Sequence, residues 1–417
     1  MAKGLQPVQG MSDLSGGELR LRQGMERIGR RVFAAYGFSE LRTPLIEDVS
    51  LFTRAVGETT SVVRKEMYDF QKGHLHLALR PEGTAGVIRH ASTIGAQEAA
   101  AARWFYIGPM FRHERPQAGR RRQFHQAGVE CLLPPSPRTD AEILALQVDL
   151  LRAWGIDAVA RINTRGAASD HAAVAAGLRA ALEPHRPALC ADCQRRMDEN
   201  VLRVLDCKNP ACGALVSALP PVTTWMGDEA TGYFAEVRRA LDLLAVPYEL
   251  APLLVRGLDY YEHTIWEITG AAGAQDALAG GGRYRMHLGH EEWCGVGFAI
   301  GLERVANLLE SSGKAGAVAS PVPRLAWLVG IGPAAEERLF RLMRAWRADG
   351  IPCRMGEGSL KKQMRQADKA GAAYAVLCGD AEMAEGTLVV KDLATGGQET
   401  MAEADVAARL REAIALE

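Results

Sequence analysis

The sequence predicts an α+β chain of two or three domains: a core carrying a strand hairpin, a helical insertion within it, and a small α/β domain at the end. Three observations point there. At 417 residues the chain exceeds what a single core usually serves. Residues from about Ala167 to Thr231 turn helical and charged and hold four cysteines, which sets them apart from the strand-rich segments on either side. Beyond a Ser/Gly/Ala/Pro-rich stretch, Ser311 to Pro323, strands alternate with helices, the rhythm of a mostly parallel α/β domain.

The amino end opens with a turn-rich segment, Gly10 to Gly17. Leu21, Met25, Ile28 and Val32 then recur at helical spacing, and Gly37 closes that helix. Phe38 to Leu45 reads as an extended strand carrying Pro44, a residue tolerated only at an edge, an end or a bulge, so pairing with a second subunit is expected. An alternating strand at Leu75–Leu79 leads into Arg80-Pro81-Glu82-Gly83-Thr84. Residues 103–130 form a strand–loop–strand hairpin with Arg112, Arg115, Arg120, Arg121 and Arg122 crowded at its tip. A helix at Asp140–Trp154 and a strand at Val159–Asn163 precede the insertion. Strands resume at Tyr248–Arg256 and Thr264–Ile268, followed by Gly280-Gly281-Gly282-Arg283-Tyr284, a loop over Arg285–Gly295, a strand at Val296–Ile300 and a helix at Gly301–Glu310. The last domain reads as strand (Leu325–Ile331), helix (Ala334–Asp349), strand (Pro352–Met355), helix (Leu360–Ala370), two strands (Tyr374–Cys378, Thr387–Leu393) and a final helix.

Composition excludes more than it selects. A formal net charge of −1 provides no global field toward nucleic acid, so any such contact must come from local basic clusters. No signal peptide, lipidation motif or bilayer-length apolar run is visible. Eight cysteines in such a chain suggest reduced thiols and a cytoplasmic location.

Three constellations carry chemistry. The hairpin concentrates positive charge that repels itself unless an anion is near. Arg112 follows Met110 and Phe111 on a strand, and Gln126 and Glu130 lie four apart on the returning strand, on one face. An arginine, an amide and a carboxylate converging on that face suit a zwitterion bearing phosphate; the plain alternative is a solvated charged turn. Arg256 follows the apolar run Leu253–Val255 and is costly to bury unpaired. It reads either as a partner for Asp259 or as a cation aimed at charge developing on a phosphate. Gly301-Leu302-Glu303-Arg304 puts an arginine in the first turn of a helix, an anion site. Separately, Cys190-x2-Cys193 has zinc-ligand spacing and Cys207-x4-Cys212 is loose for it; a structural zinc and ordinary reduced thiols both fit. Cys131, Cys294, Cys353 and Cys378 read as core, and His113 and His125 flank the hairpin tip in either a structural or a ligand-facing role.

With the amino-terminal helix and the Pro44 strand as motif 1, these segments resemble motifs 1 to 3 of the class II aminoacyl-tRNA synthetases and the histidine-binding motif that precedes motif 3. The strings KEMYDF (65–70), LRPEGTAG (79–86), GPMFRHERPQ (108–117), QFHQAGVE (123–130), LVRGLDYY (254–261), GGRY (281–284), GFAIGLER (297–304) and KDLATG (391–396) resemble the histidyl branch. The resemblance covers essentially the whole chain. It implies a catalytic core of antiparallel sheet flanked by helices (1–166 and 232–318), a helical insertion (167–231), a linker (319–324) and an anticodon-binding α/β domain (325–417). It implies ATP and Mg²⁺, and a homodimer formed through motif 1. Arg112 and Arg256 would be catalytic, acting on the α-phosphate; Arg304 would hold the γ-phosphate, with Glu114 also on ATP. Glu82, Thr84, Gln126, Glu130, Arg256, Tyr260 and Tyr261 would bind histidine. Arg115, Gln117, Arg120, Arg121 and Arg122 would face the acceptor end of tRNA, and Lys361, Lys362, Arg365 and Lys369 the anticodon stem. The chain departs from the family pattern at Gln9, usually arginine, at Arg285, usually aspartate, and in a short 285–295 segment. Two related readings use the same core: a histidine-sensing regulatory subunit of ATP phosphoribosyltransferase, which lacks the last domain, and an enzyme that activates histidine for another acceptor.

Overall fold

The computed structural model describes residues 5–56, 62–100, 102–114, 121–258, 260–270, 277–322 and 324–414. The chain divides into two compact units, Met1–Ser320 and Pro321–Glu417.

The first unit is built on an eight-stranded sheet, in the order Ser39–Glu40, Arg103–Phe111, Gln123–Leu132, Glu291–Gly301, Ala277–Leu288, Tyr261–Gly270, Ala158–Thr164 and Tyr248–Leu250. The six central strands pair antiparallel, and a short parallel strand closes each edge. Period-two alternation gives the sheet two unlike faces. One face sends Val296, Phe298, Ile300, Trp266 and Ile268 into the main core. The helices Gly16–Ala35, Pro137–Ala153, Asp228–Leu243 and Leu302–Ser311 cover it with Leu21, Met25, Leu144, Leu151, Val237, Leu241 and Val305. The other face carries Gly280, Gly297 and Ala299 at its centre, so the wall there is low and a hollow opens above it. Helices Val49–Val56 and Thr84–Ile94 pack beside that hollow with Phe52, Ala85 and Ile88 against Ile265, Met286 and Trp293.

Buried polar groups pin this arrangement. Asp140, fully buried, accepts hydrogen bonds from Arg283 (2.8 Å), Thr264 (2.7 Å) and Tyr233 (2.9 Å). Arg22 pairs with Glu303 at 3.0 Å, tying the first helix to the helix that begins at Leu302.

Several elements differ from the sequence reading. The strand expected over Phe38–Leu45 breaks into Ser39–Glu40, parallel to Trp104–Phe105, and Ile46–Asp48, which joins a three-stranded sheet with Tyr68–Lys72 and Leu75–Leu79. Pro44, lacking an N–H, sits between the two pieces. The strand expected at Tyr248–Arg256 stops at Leu250, leaving Arg256 on a loop. The loop expected over Arg285–Gly295 is instead an antiparallel hairpin, His287 opposite Glu292 and Leu288 opposite Glu291, turned at Gly289, whose φ is +65°. Cys131, Cys353 and Cys378 are buried, but Cys294 is only partly so.

The insertion between the strands Ala158–Thr164 and Tyr248–Leu250 contains the short helices His171–Leu182, Ala191–Glu199 and Pro210–Ser217, then Asp228–Leu243. Leu178, Leu182, Leu189, Met197, Val201, Val204 and Val216 form its own small core.

The second unit has a five-stranded sheet in the order Cys353–Met355, Ala326–Gly330, Tyr374–Cys378, Thr387–Asp392 and Gln398–Ala402, with helices Pro333–Ala348, Leu360–Lys369 and Glu403–Ile414. It is mixed rather than mostly parallel: the first two pairings are parallel and the last two antiparallel. The edge strand Gln398–Ala402 has no apolar alternation to betray it. It is placed by a tight turn in which Asp392 accepts from the backbone of Ala394 and Thr395. No helix among the described residues is long and apolar enough to cross a membrane.

Candidate active site

The hollow above the glycine-lined sheet face is a cavity of about 370 Å³. Glu82, Thr84, Arg112, Glu114, Arg121, Gln126, Glu130, Arg256, Tyr260, Tyr261 and Arg304 all line it, gathered from five separate stretches of chain.

Its closed end is built on the segment after Leu79. Arg80 is buried and donates to Pro109 O (2.9 Å), Thr43 O (3.0 Å) and Thr43 Oγ1 (3.0 Å), so it rivets the turn to the hairpin. Gly83 lies so close to Tyr106 that a Cβ there would meet the ring at 2.3 Å. Glu82 accepts from the backbone N–H groups of Thr84 and Ala85, both at 2.8 Å, capping the helix Thr84–Ile94 with its own carboxylate. Burial pushes its pKa up. Each carboxylate oxygen keeps a further lone pair.

Glu130, on the returning hairpin strand, is buried and accepts from Thr84 Oγ1 at 2.7 Å. Burial pushes its pKa up to about 8, against the hydrogen bond from Thr84. Gly297 makes room for it: a Cβ there would stand 2.2 Å from Glu130 Oε2. Gln126 Oε1 is buried with no hydrogen-bond partner among the described residues, while the buried Tyr284 OH stands against the Glu130 carboxylate and opposes the effect of burial on it. An unpaired buried acceptor costs about 1–3 kcal/mol, so the closed end holds polar groups ready for a ligand. Tyr260 leans on Tyr261 (4.7 Å between centroids) and on Tyr284 (5.8 Å), making an aromatic wall.

The other end is cationic. Arg112 lies just past the strand that ends at Phe111 and is not in it. Its Nε donates to Pro81 O (2.9 Å), its guanidinium lies 5.4 Å from the centre of Phe124, and Glu114 is 3.9 Å away. Arg256 reaches in from its loop and lies over Gly280. Its ion pair is with Glu267, at 2.5 Å, while Asp259 lies outside the described residues. Arg304, in the first turn of the helix Leu302–Ser311, donates to Ala277 O. The preceding Glu303 also lines the cavity, its carboxylate accepting from the His125 backbone and ring (both 2.9 Å) as well as from Arg22. His125 is thus held by Glu303 through Nδ1, and His113 packs edge-on against Tyr68.

Arg115, Gln117 and Arg120 lie outside the described residues. Arg121 donates to Glu18 (2.9 Å) and Ser12 (2.7 Å), and Arg122 to Gln9 O (3.3 Å), so both sit where the loop joins the returning strand, against the amino-terminal turn. Arg285 does not line the cavity; it pairs with Glu262 at 2.9 Å and with Glu292. In the second unit Lys361, Lys362, Arg365 and Lys369 are all exposed on the helix Leu360–Lys369. The four insertion cysteines converge, with every Sγ within 4.8 Å of the others.

Sequence reasoning missed Tyr284, Glu267, Asp206 and Lys208 as lining residues, together with the glycines Gly280 and Gly297. The run of three glycines before Arg283 was the available signal, since Gly inside a strand marks close approach by another group.

The chain matches known proteins along nearly its whole length. Residues 10–305 match the family model "Histidyl-tRNA synthetase", and residues 327–413 the model "Anticodon binding domain". The chain is 42% identical over 410 residues to the histidine–tRNA ligase of Anaeromyxobacter dehalogenans, covering 97% of this chain and 98% of that one. It is 41% identical over 387 residues to the histidine–tRNA ligase of Halothermothrix orenii, covering 90% and 91%. The crystal structure of apo S. aureus histidyl-tRNA synthetase superposes with a TM-score of 0.80 at 29% identity, covering 98% of this chain and all of that one.

Proposed function

The chain belongs to the histidyl-tRNA synthetase family and catalyses the ligation of histidine to tRNA; from that premise we propose how its cavity divides the work. The closed end takes histidine. Glu130 and Tyr261 read the imidazole nitrogens, and Glu82 with Thr84 and Gln126 receives the α-ammonium. The observation that carries this is the cluster of buried polar groups Glu130, Gln126 and Tyr284 on the wall of one cavity, with Gln126 Oε1 lacking a partner among the described residues. A site of that kind rejects amino acids unable to supply the missing hydrogen bonds.

ATP lies toward the arginines. The histidine carboxylate oxygen attacks the α-phosphorus, the bond to the bridging oxygen breaks, and pyrophosphate leaves with its electron pair. Arg112 and Arg256 flank the charge that builds on the α-phosphoryl oxygens, and Arg304 holds the γ-phosphate. Catalysis is positioning and fixed charge, with no protein nucleophile. The carboxylates Glu114 and Glu267 on the cavity wall are the hard oxygen donors Mg²⁺ takes alongside phosphate, so the residues fit that ion. When bound it would offset phosphate charge. The tRNA 3′-terminal hydroxyl then attacks the adenylate carbonyl and AMP departs. The hairpin tip is assigned to the acceptor end of the tRNA, and the exposed row Lys361, Lys362, Arg365 and Lys369 to the anticodon stem. A homodimer through the motif 1 region is supported by Leu45, Ile46, Phe70 and Leu75, exposed on or beside the three-stranded sheet.

Histidine-dependent ATP–pyrophosphate exchange followed by transfer of labelled histidine to tRNA tests the assignment. Exchange and transfer are both expected. Exchange without transfer would point to another acceptor, and absence of exchange would overturn the cavity roles.

A further inference from the structure

The insertion holds a second constellation that the ligation chemistry does not use. Cys190 caps the helix Ala191–Glu199 and Cys193 lies in its first turn, while Cys207 and Cys212 bracket the start of the helix Pro210–Ser217. These two stretches meet so that all four sulfurs lie within 4.8 Å of one another, with Cys190 and Cys207 at 3.9 Å. A tetrahedral tetrathiolate with Zn–S bonds of about 2.3 Å has S–S edges of about 3.8 Å. Backbone N–H groups are also turned toward the sulfurs. Cys190 N donates to Cys212 Sγ (3.2 Å) and Asn209 N to Cys207 Sγ (3.4 Å). Thiols serving only as apolar filler gain nothing from facing a common point or from such donors. Four soft sulfur ligands select zinc among the common structural metals.

We propose that Cys190, Cys193, Cys207 and Cys212 bind one structural zinc ion, and that this ion fixes the turn presenting Asp206 and Lys208 to the nucleotide cavity. The second half follows from placement. Cys207 stands between Asp206 and Lys208, which are paired at 2.9 Å and both line the cavity. Just upstream, Arg203 donates to Gly257 O at 3.2 Å, against the loop that carries Arg256. One ion at Cys207 would thus hold a turn that touches both the cavity rim and the arginine loop. The zinc assignment stands independently of the roles given to the cavity; the consequence for nucleotide binding rests on them.

The test uses the untagged full chain, purified without added metal. Elemental analysis is expected to find about one zinc per chain, released by a mercurial in step with the cysteine thiols. Replacement by Co²⁺ should give the thiolate charge-transfer bands and strong d–d absorption of a tetrahedral sulfur site. Less than about a tenth of an equivalent of zinc, with the thiols freely titratable in the native protein, would overturn the proposal. So would iron in place of zinc, or disulfides among these residues. The Cys207→Ser variant should lose the metal and show a KM for ATP raised several-fold, with the KM for histidine little changed. An unchanged KM for ATP in a folded, zinc-free Cys207→Ser protein would overturn the coupling to the cavity while leaving the metal analysis to decide the zinc. Should that variant fail to fold, the metal content and cobalt spectrum of the wild type still decide the metal site.

Discussion

Gly280→Ala tests the arginine end of the cavity without touching a charged residue. A Cβ at Gly280 would stand 2.5 Å from Cζ, Nη1 and Nη2 of Arg256. Heavy atoms in contact need about 3.5–4 Å, so the guanidinium must retreat by about 1 Å or more. That retreat is cheap for the fold, because only the end of a flexible side chain moves. It is expensive for the reaction: misplacing a reacting or charge-stabilising group by about 1 Å costs on the order of 10²-fold, and losing one such donor about 10²–10³. Gly281→Ala is the internal control. Its Cβ would meet Gly297 O at 2.4 Å, Trp266 Cζ2 at 2.6 Å and Phe298 Cβ at 2.7 Å on the core face, where backbone and packed rings cannot step aside. It should lose about 1–3 kcal/mol or more by overpacking. Histidine-dependent ATP–pyrophosphate exchange and thermal unfolding are measured on both variants. In an Arg256→Ala background, Gly280→Ala should add little further loss, because the two changes act through one group. Exchange by Gly280→Ala within about threefold of wild type would refute the claim that Arg256 acts from its place over Gly280. Equal destabilisation of the two glycine variants would refute the assignment of the faces.

Three further outcomes follow from the same geometry. Arg256→Ala should nearly abolish exchange while circular dichroism and the unfolding midpoint stay close to wild type; near-normal exchange would remove Arg256 from the mechanism. Glu130 has a folded pKa raised by burial to about 8 from an ordinary 4.5, so its favourable contribution is complete below about pH 4.5 and is lost as pH rises through 8. Glu130→Gln, which cannot ionise, should gain stability on wild type by up to about 1.4 kcal/mol per pH unit between roughly pH 5 and 8, read from denaturant curves of the free enzyme; parallel pH profiles would contradict the buried, neutral carboxyl. Asp140→Ala strands Arg283, which is fully buried, and should cost about 3–5 kcal/mol; a loss under about 1 kcal/mol would show that Arg283 finds another partner or water.

What the sequence made legible was whatever depends on local periodicity. Gln126 and Glu130 fall on one face because strands alternate, and that face is the cavity wall. Arg112 follows an apolar strand end and is held against the sheet, as a charge beside such a run must be. Contacts set by strand register were hidden. The Glu267 partner of Arg256 comes from the strand read at Thr264–Ile268 with no partner assigned, and Gly297 gives way to Glu130 across the pairing Gly297↔Glu130. The missed hairpin did leave a trace, since Met286 and Leu288 alternate with charge on one arm before Gly289-His290 and Trp293 answers on the other. Its acidic residues disguised it as a loop.

That hairpin also explains why an unusual residue beside the cavity is tolerated. Tyr284 points to the cavity, so its neighbour Arg285 must leave by the opposite face. There it meets Glu262 from the adjoining strand and Glu292 from the other arm of the hairpin. The charge that replaces the family's usual aspartate is therefore balanced where it stands. The strand alternation that brings Tyr284 into the cavity keeps Arg285 out of it, and a reversal of sign one residue from the cavity wall leaves the polar groups of Glu130, Gln126 and Tyr284 unaltered.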